Sequence, residues 1–353
     1  MQNPFTTTFS KIPDNTYISI SRFDEIIQNF SYDNPTESVY KITGVRGSGK
    51  TVLLSKIENE MKSDEFAKKG WIVCSISPAR DMLQQFAALL RNANLAKSKK
   101  ESKSLNVSAS VMGVGGGIGL SKSEPDRFFD IGIEISEMLV KAKKAGKKVL
   151  IGVDEVSKTP EMIVFASEFG KWLIEDQSVY MVCTGLYENI EQLSNVKNLT
   201  FFRRATTVMT QPLSQLRMSE MYRNKLGLDI ESAKKYAKMT KGYAYAFQEL
   251  GVLLFKSRNG KSSGIEDELK SELFAYAYEK IWEEMTEGDR ELVRLLIDKE
   301  EYKREEVISE MKRPQNYSVY RDRLIRRGII SNRRGYIGLA LPYFRNYVKD
   351  YQM

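Results

Sequence analysis

Eight residues, Gly44-Val45-Arg46-Gly47-Ser48-Gly49-Lys50-Thr51, constrain this chain more than any other stretch. They follow Ser38-Val39-Tyr40-Lys41-Ile42-Thr43, a run of β-branched and aromatic residues that reads as a short strand. After them Val52, Leu53, Ile57 and Met61 recur at helical spacing. Strand, glycine-rich loop and helix, in that order, form the context in which G-x-x-x-x-G-K-[ST] cradles phosphates. The glycines let backbone N–H groups turn inward, and the helix N-terminus adds partial positive charge. Lys50 is expected to reach the β- and γ-phosphates and the Thr51 hydroxyl to ligate Mg²⁺. The expected ligand is therefore ATP with Mg²⁺, held by Gly44 through Val52.

Such a loop calls for an acidic residue at the end of a second buried strand. Lys147-Lys148-Val149-Leu150-Ile151-Gly152-Val153-Asp154-Glu155 supplies an apolar run ending in two carboxylates. Asp154 is expected to hold the magnesium through water, and Glu155 to orient or deprotonate the attacking water. A third apolar run, Val179 to Cys183, ends at Thr184-Gly185. Likeness to P-loop proteins that place an extra strand between the two phosphate-site strands makes Thr184 the candidate for touching the γ-phosphate or the water, a turn or helix cap being its plainer reading. Phe201-Phe202-Arg203-Arg204 precedes a further strand, Thr206-Thr207-Val208-Met209. Arg203 or Arg204 is a candidate for countering γ-phosphate charge, in trans from a neighbouring subunit; an ordinary salt bridge is the alternative.

Composition narrows the chemistry. There is no histidine, which removes Ser/His and Cys/His catalysis and nearly every zinc site. What remains is carboxylates, Lys, Arg, hydroxyls and an oxygen-ligated cation. Cys74 and Cys183 each lie in an apolar run and are expected to be buried and reduced. No apolar run is long enough to span a bilayer, and the first residues lack a signal-peptide pattern, so a soluble cytoplasmic protein is expected. A net charge of +8 permits a polyanionic partner.

The 353 residues suggest two or three domains. Residues 1–213 read as an α/β core with a parallel sheet. Within it, 97–123 is a basic, glycine-rich insert, either a protruding β-hairpin that touches DNA or a partner, or a solvated excursion. Residues 214–262 have helical periodicity and read as a small lid, with the polar stretch Ser257 to Gly264 as its boundary. Residues 263–353 hold a helix around Phe274 to Trp282, another opened by Thr286, a short one from Arg304 to Met311, and a fourth from Ser318 to Arg327, capped by Ser318 and ended by Gly328. Two strands around Arg333-Arg334-Gly335 follow, and helices leading to a hairpin suggest a winged helix. Arg321, Arg323, Arg326, Arg327, Arg333 and Arg334 would give its recognition helix and wing a basic face for double-stranded DNA. Winged helices that dock proteins, and basic faces that are merely solvated, are the alternatives.

Together these pieces resemble an AAA+ ATPase of the Orc/Cdc6-like and STAND-like branch. Tyr17 to Glu25 resembles that branch's adenine-side box, with Arg22 as its arginine. Asn3-Pro4-Phe5 and Thr240 to Gln248 resemble a bacterial group of such ATPases described as ATP-binding. The resemblance implies an AAA+ core, a helical lid and a winged helix. One departure is that Gly242-Tyr243-Ala244-Tyr245 carries no arginine where many such lids place one against the nucleotide. Lys241 is a weak substitute, and Tyr243 and Tyr245 are expected to pack in the lid core. Slow hydrolysis and a switch function are thus implied, loading or remodelling a DNA complex. The alternatives are a STAND-like signalling or defence ATPase that works through a homo-oligomer or protein partner, and, more weakly, a small-molecule kinase.

Overall fold

Val39–Thr43 forms a strand buried at all 5 positions, as the centre of a parallel sheet covered on both faces requires. The computed structural model describes residues 2–8, 12–13, 15–19, 22–95, 130–258, 264–333 and 335–353. The insert at 97–123, most of the stretch from Ser257 to Gly264, and Arg334 lie outside the described residues.

The first elements are α1 (Phe23–Ser31), β1 (Val39–Thr43), α2 (Lys50–Met61), α3 (Asp64–Lys68), β2 (Trp71–Ile76), α4 (Met82–Asn92), α5 (Ile131–Lys144), β3 (Lys148–Val153), α6 (Pro160–Ile174), β4 (Val179–Gly185), α7 (Tyr187–Ser194), α8 (Thr200–Arg204) and β5 (Thr206–Met209). Their strands form one sheet in the order β2-β3-β4-β1-β5, and every pairing is parallel. β4 thus lies between the strand that feeds the phosphate loop and the strand that ends at Asp154.

Alternate strand residues serve opposite faces, as a pleated backbone dictates. Leu150, Val182 and Ile42 join Phe30, Leu53 and Ile57 of α1 and α2 on one side. Ile151, Val153, Met181 and Cys183 join Phe86, Phe165, Phe169 and Trp172 of α4 and α6 on the other. Cys74 and Cys183 are buried and free, and burial pushes both thiols up to about 12, as expected of reduced strand residues. Lys41 is a charged exception inside β1: its ammonium donates to the Phe202 carbonyl at 2.7 Å and lies over the Phe202 ring, pinning α8.

The next elements are α9 (Gln215–Leu226), α10 (Ile230–Met239) and α11 (Ala244–Ser257). Ser214 and Asp229 cap α9 and α10 through side-chain oxygens, and Gly227, at φ 64°, ends α9. These helices bury Tyr222, Phe247 and Leu250 in a second core. Phe5 joins it, lying so close to Gly251 that a Cβ there would meet the Phe5 ring at 2.2 Å.

The last elements are α12 (Ile265–Leu273), a π-helical turn (Phe274–Tyr278), α13 (Glu279–Glu283), α14 (Glu287–Arg294), β6 (Tyr302–Lys303), α15 (Arg304–Glu310), α16 (Tyr317–Arg326), β7 (Ile330–Arg333), β8 (Tyr336–Leu339) and α17 (Phe344–Tyr351). Thr286 caps α14 in a reciprocal box with Asp289. α16 starts one residue before Ser318, which therefore lies inside the helix and is not its cap: a 3₁₀ turn at Pro314–Asn316 leads directly into it, and Asn316 stands at the cap position without a side-chain bond. Gly328, at φ 76°, lets the chain turn from α16 into β7. β7 and β8 form the expected hairpin, and β6 adds a third antiparallel strand. α9 to α11 and these C-terminal elements share one continuous hydrophobic core.

Candidate nucleotide site

The loop between β1 and α2 turns at Gly47 (φ 71°) and Gly49 (φ 92°), conformations that disfavour any residue with a Cβ. The Lys50 ammonium lies inside it and donates to the Gly44 and Val45 carbonyls, each at 3.0 Å. Burial, then the neighbouring Arg46 cation, lowers its pKa from 10.5 to about 8, while Asp154, Glu155 and Glu284 pull the other way. A buried ammonium beside a second cation is a site that gains by taking an anion, so the loop fits a phosphate.

The sheet order brings the acidic residues to this loop. The Thr51 hydroxyl lies 2.9 and 3.2 Å from the two oxygens of Asp154. The buried Thr184 hydroxyl, at the end of β4, donates to the same carboxylate. It also accepts from the Glu155 N–H at 3.1 Å, while the Val156 N–H donates to the Thr184 carbonyl at 2.8 Å. Glu155 takes φ 56°, a left-handed conformation that costs roughly 1–2 kcal/mol in a residue with a Cβ, and the Thr184 hydroxyl holds it there. Its side chain is exposed. Thr51 and Asp154 fit magnesium, which one or two carboxylates hold together with substrate phosphates and water. Among the described residues no cluster of three or more carboxylate or thiol ligands occurs.

The start of α11 and the residue before it reach the loop directly. The Tyr245 N–H donates to the Gly47 carbonyl at 3.0 Å, and the Tyr243 hydroxyl to the Arg46 carbonyl at 2.6 Å. Burial raises the Tyr243 phenol well above its ordinary range, so it stays a proton donor. Its ring stacks on Tyr278 of the π-helical turn, with centroids 6.5 Å apart. Tyr243 is buried with the lid core as expected, and it also bonds the phosphate loop, which its sequence context did not suggest.

The C-terminal elements touch the loop as well. Arg46 donates through Nε and Nη2 to one oxygen of Glu284, at 2.8 and 2.6 Å. The other Glu284 oxygen lies 3.6 Å from Arg327, whose Nε is 3.0 Å from Glu188 of α7. Arg327 is only 6% exposed. Arg326 donates to the Tyr187 hydroxyl at 2.5 Å and lies over its ring. Of the other candidate arginines, Arg321 pairs with Asp322, Arg323 pairs with the buried Asp289, and Arg333 is exposed at the end of β7. Arg203 and Arg204 are exposed in the last turn of α8, and Arg22 is exposed beside Glu25 at 3.3 Å. The structure thus gathers Lys50, Thr51, Asp154, Glu155 and Thr184, and sets Arg326 and Arg327 against α7. Glu284, Glu188 and Tyr187 carry no motif and become visible only through these contacts.

Comparison with known proteins supports the fold. Residues 275–348 match a family described as a domain of unknown function (DUF8462). No curated protein matches the sequence. A Walker-type ATPase of Pyrococcus abyssi superposes with a TM-score of 0.61 at 12% identity, over 94% of this chain and 96% of the other. The ORC2 protein of Aeropyrum pernix, in ADPNP–ADP complexes, superposes with a TM-score of 0.56 at 12% identity, over 99% and 97%. At such identity the likeness shows the fold, and it does so along the whole chain. No helix among the described residues is long and apolar enough to cross a membrane.

Proposed function

We propose, for a chain with the fold of the Orc/Cdc6-type AAA+ P-loop ATPases, an ATP-binding and slowly hydrolysing switch that acts on DNA or a DNA-bound complex. The observation that carries the nucleotide part is the convergence of Lys50, Thr51, Asp154 and Thr184. In this reading the loop N–H groups and Lys50 bind the phosphates, and Thr51 and Asp154 hold Mg²⁺. Bound there, Mg²⁺ offsets charge on the transferred phosphoryl oxygens. Glu155 orients the attacking water and takes its proton, and Thr184 fixes the backbone that presents it. Arg203 and Arg204 remain candidates for a contribution in trans. Tyr243 and Tyr245, standing where an arginine would couple lid and γ-phosphate, support slow turnover.

In the C-terminal part, the order α14, β6, α15, α16, β7, β8 supports a winged helix. Exposed Lys312, Arg313 and Arg333 support contact with duplex phosphates, with Arg321, Arg323, Arg326 and Arg334 as further candidates, whereas Arg327, 6% exposed and taken up by Glu188 and Glu284, is turned inward. A second reading, a STAND-like switch whose winged helix serves internal or protein contacts, is favoured by one observation. Arg326 and Arg327 are turned onto Tyr187 and Glu188 of the core. The test is ATP turnover and DNA anisotropy at low and physiological salt. Turnover stimulated by duplex, with salt-steep binding weakened by Arg333→Ala, supports the DNA reading. ATP turnover indifferent to DNA, with no binding at low salt, selects the second.

A further inference from the structure

The P-loop residue Arg46 is held from two sides by groups outside the α/β core. Its carbonyl accepts from Tyr243, and its guanidinium forks onto a single oxygen of Glu284. Glu284 is shared: its second oxygen faces Arg327, and its own backbone carbonyl accepts from Arg327 Nη1 at 3.2 Å. Arg327 in turn reaches Glu188, which follows β4 by a few residues. One carboxylate thus links the phosphate loop to the end of α16, and through Arg327 to α7. Gly328 lies against Val45 of the loop, so the contact is also one of shape.

Two properties make this link displaceable. Arg46 is 41% exposed and Glu284 27%, so their attraction is screened by water. Arg46 also sits close enough to Lys50 to disfavour the charge on that ammonium. An incoming triphosphate brings more negative charge to this loop than a diphosphate, and it competes with Glu284 for the same guanidinium.

We propose that Glu284 is a positioning residue through which the site reads the third phosphate. ATP draws Arg46 away from Glu284 and loosens the seat of α16 on α7, whereas ADP leaves the pair intact. The inference rests on the ATP reading given above and adds to it the residue that couples nucleotide to the C-terminal domain. By linkage the coupling is reciprocal: whatever weakens the seat must favour the triphosphate selectively.

The test is calorimetric titration of the full chain with AMPPNP–Mg²⁺ and ADP–Mg²⁺, alongside amide exchange at 186–190, 281–285 and 326–329. Glu284→Gln is expected to tighten AMPPNP on the order of tenfold while moving ADP less than about twofold. In the wild type, AMPPNP raises exchange in those segments and ADP does not. Glu188→Gln, which loosens the seat without touching Arg46, shifts the same ratio in the same direction and serves if Glu284→Gln fails to fold. An AMPPNP-to-ADP ratio unchanged in both variants, or exchange indifferent to AMPPNP, overturns the inference and leaves ATP binding standing. A wild-type chain that binds neither nucleotide overturns the ATP reading and the inference together.

Discussion

The Thr51 hydroxyl lies 2.9 Å from Asp154 Oδ2, although 103 residues separate them in the chain. That contact joins the helix after β1 to the end of β3 across the intervening β4. Thr51→Ala and Asp154→Asn are therefore expected to lose the magnesium dependence of nucleotide binding while the fold survives. Titration of nucleotide with and without Mg²⁺ checks this. A magnesium effect of wild-type size in both variants removes Thr51 and Asp154 as ligands.

Glu155→Gln keeps the hydrogen-bonding shape of the side chain and removes its basicity. Nucleotide affinity is expected to stay within about threefold, while turnover falls roughly a hundredfold or more. Phosphate release under saturating ATP measures it. Equal turnover in wild type and variant would remove Glu155 from the chemistry.

Thr184→Val keeps volume and deletes the hydroxyl that bonds both Asp154 and the Glu155 N–H. The loss is expected to cost about 1–3 kcal/mol, because the Glu155 N–H loses its acceptor and the left-handed turn at Glu155 loses its tie. Urea unfolding reads the stability, and Thr184→Ser should recover most of it. A valine variant as stable as wild type would mean that the turn holds without this bond.

Lys50 gives a pH signature. Its folded pKa of about 8 lies below its ordinary 10.5, so the folded chain binds fewer protons than the unfolded chain between those values. Stability from this group therefore rises with pH across that window, and its burial cost is fully present below about 8. Phosphate binding needs the charged form, so affinity runs the opposite way and weakens by up to about tenfold per pH unit above 8. Calorimetry at pH 7 and pH 9 tests the second sign, and Lys50→Met should bind weakly with no such slope.

Tyr243→Phe removes only the hydroxyl that reaches the Arg46 carbonyl. About 1 kcal/mol of stability is expected to go with it, together with a change in nucleotide affinity, since the bond spans lid and loop. Thermal unfolding with and without AMPPNP separates the two effects. A variant identical in both would make the contact incidental.

Local patterns made much of this legible in the sequence. The glycine spacing around Lys50, the apolar run into Asp154 and the run into Thr184 each carry their own signal, and the observed sheet brings their ends together. Thr286 as a cap and Gly328 as a stop were legible for the same reason, since capping is decided within a few residues. The two-residue strand β6 was not, being too short for any alternation to register. Nor was the role of Glu284. It pairs with a residue 238 positions away, and one glutamate among many leaves no periodic trace. Tyr243 reads as an apolar lid residue, and only the fold reveals where its hydroxyl ends.

The strand order also governs how the molecule is made. β1 pairs with β4 and β5, whose segments begin at Val179 and Thr206, and, among the described residues, with no strand nearer in sequence. On a ribosome the phosphate loop therefore emerges early beside a strand with both edges open, and it waits for most of the core before either edge closes. Until then a largely apolar, unpaired strand is available to chaperones and to neighbouring nascent chains alike. Ligand binding during synthesis has to wait for the same event, so truncation before β4 should yield a fragment that aggregates and takes up no nucleotide.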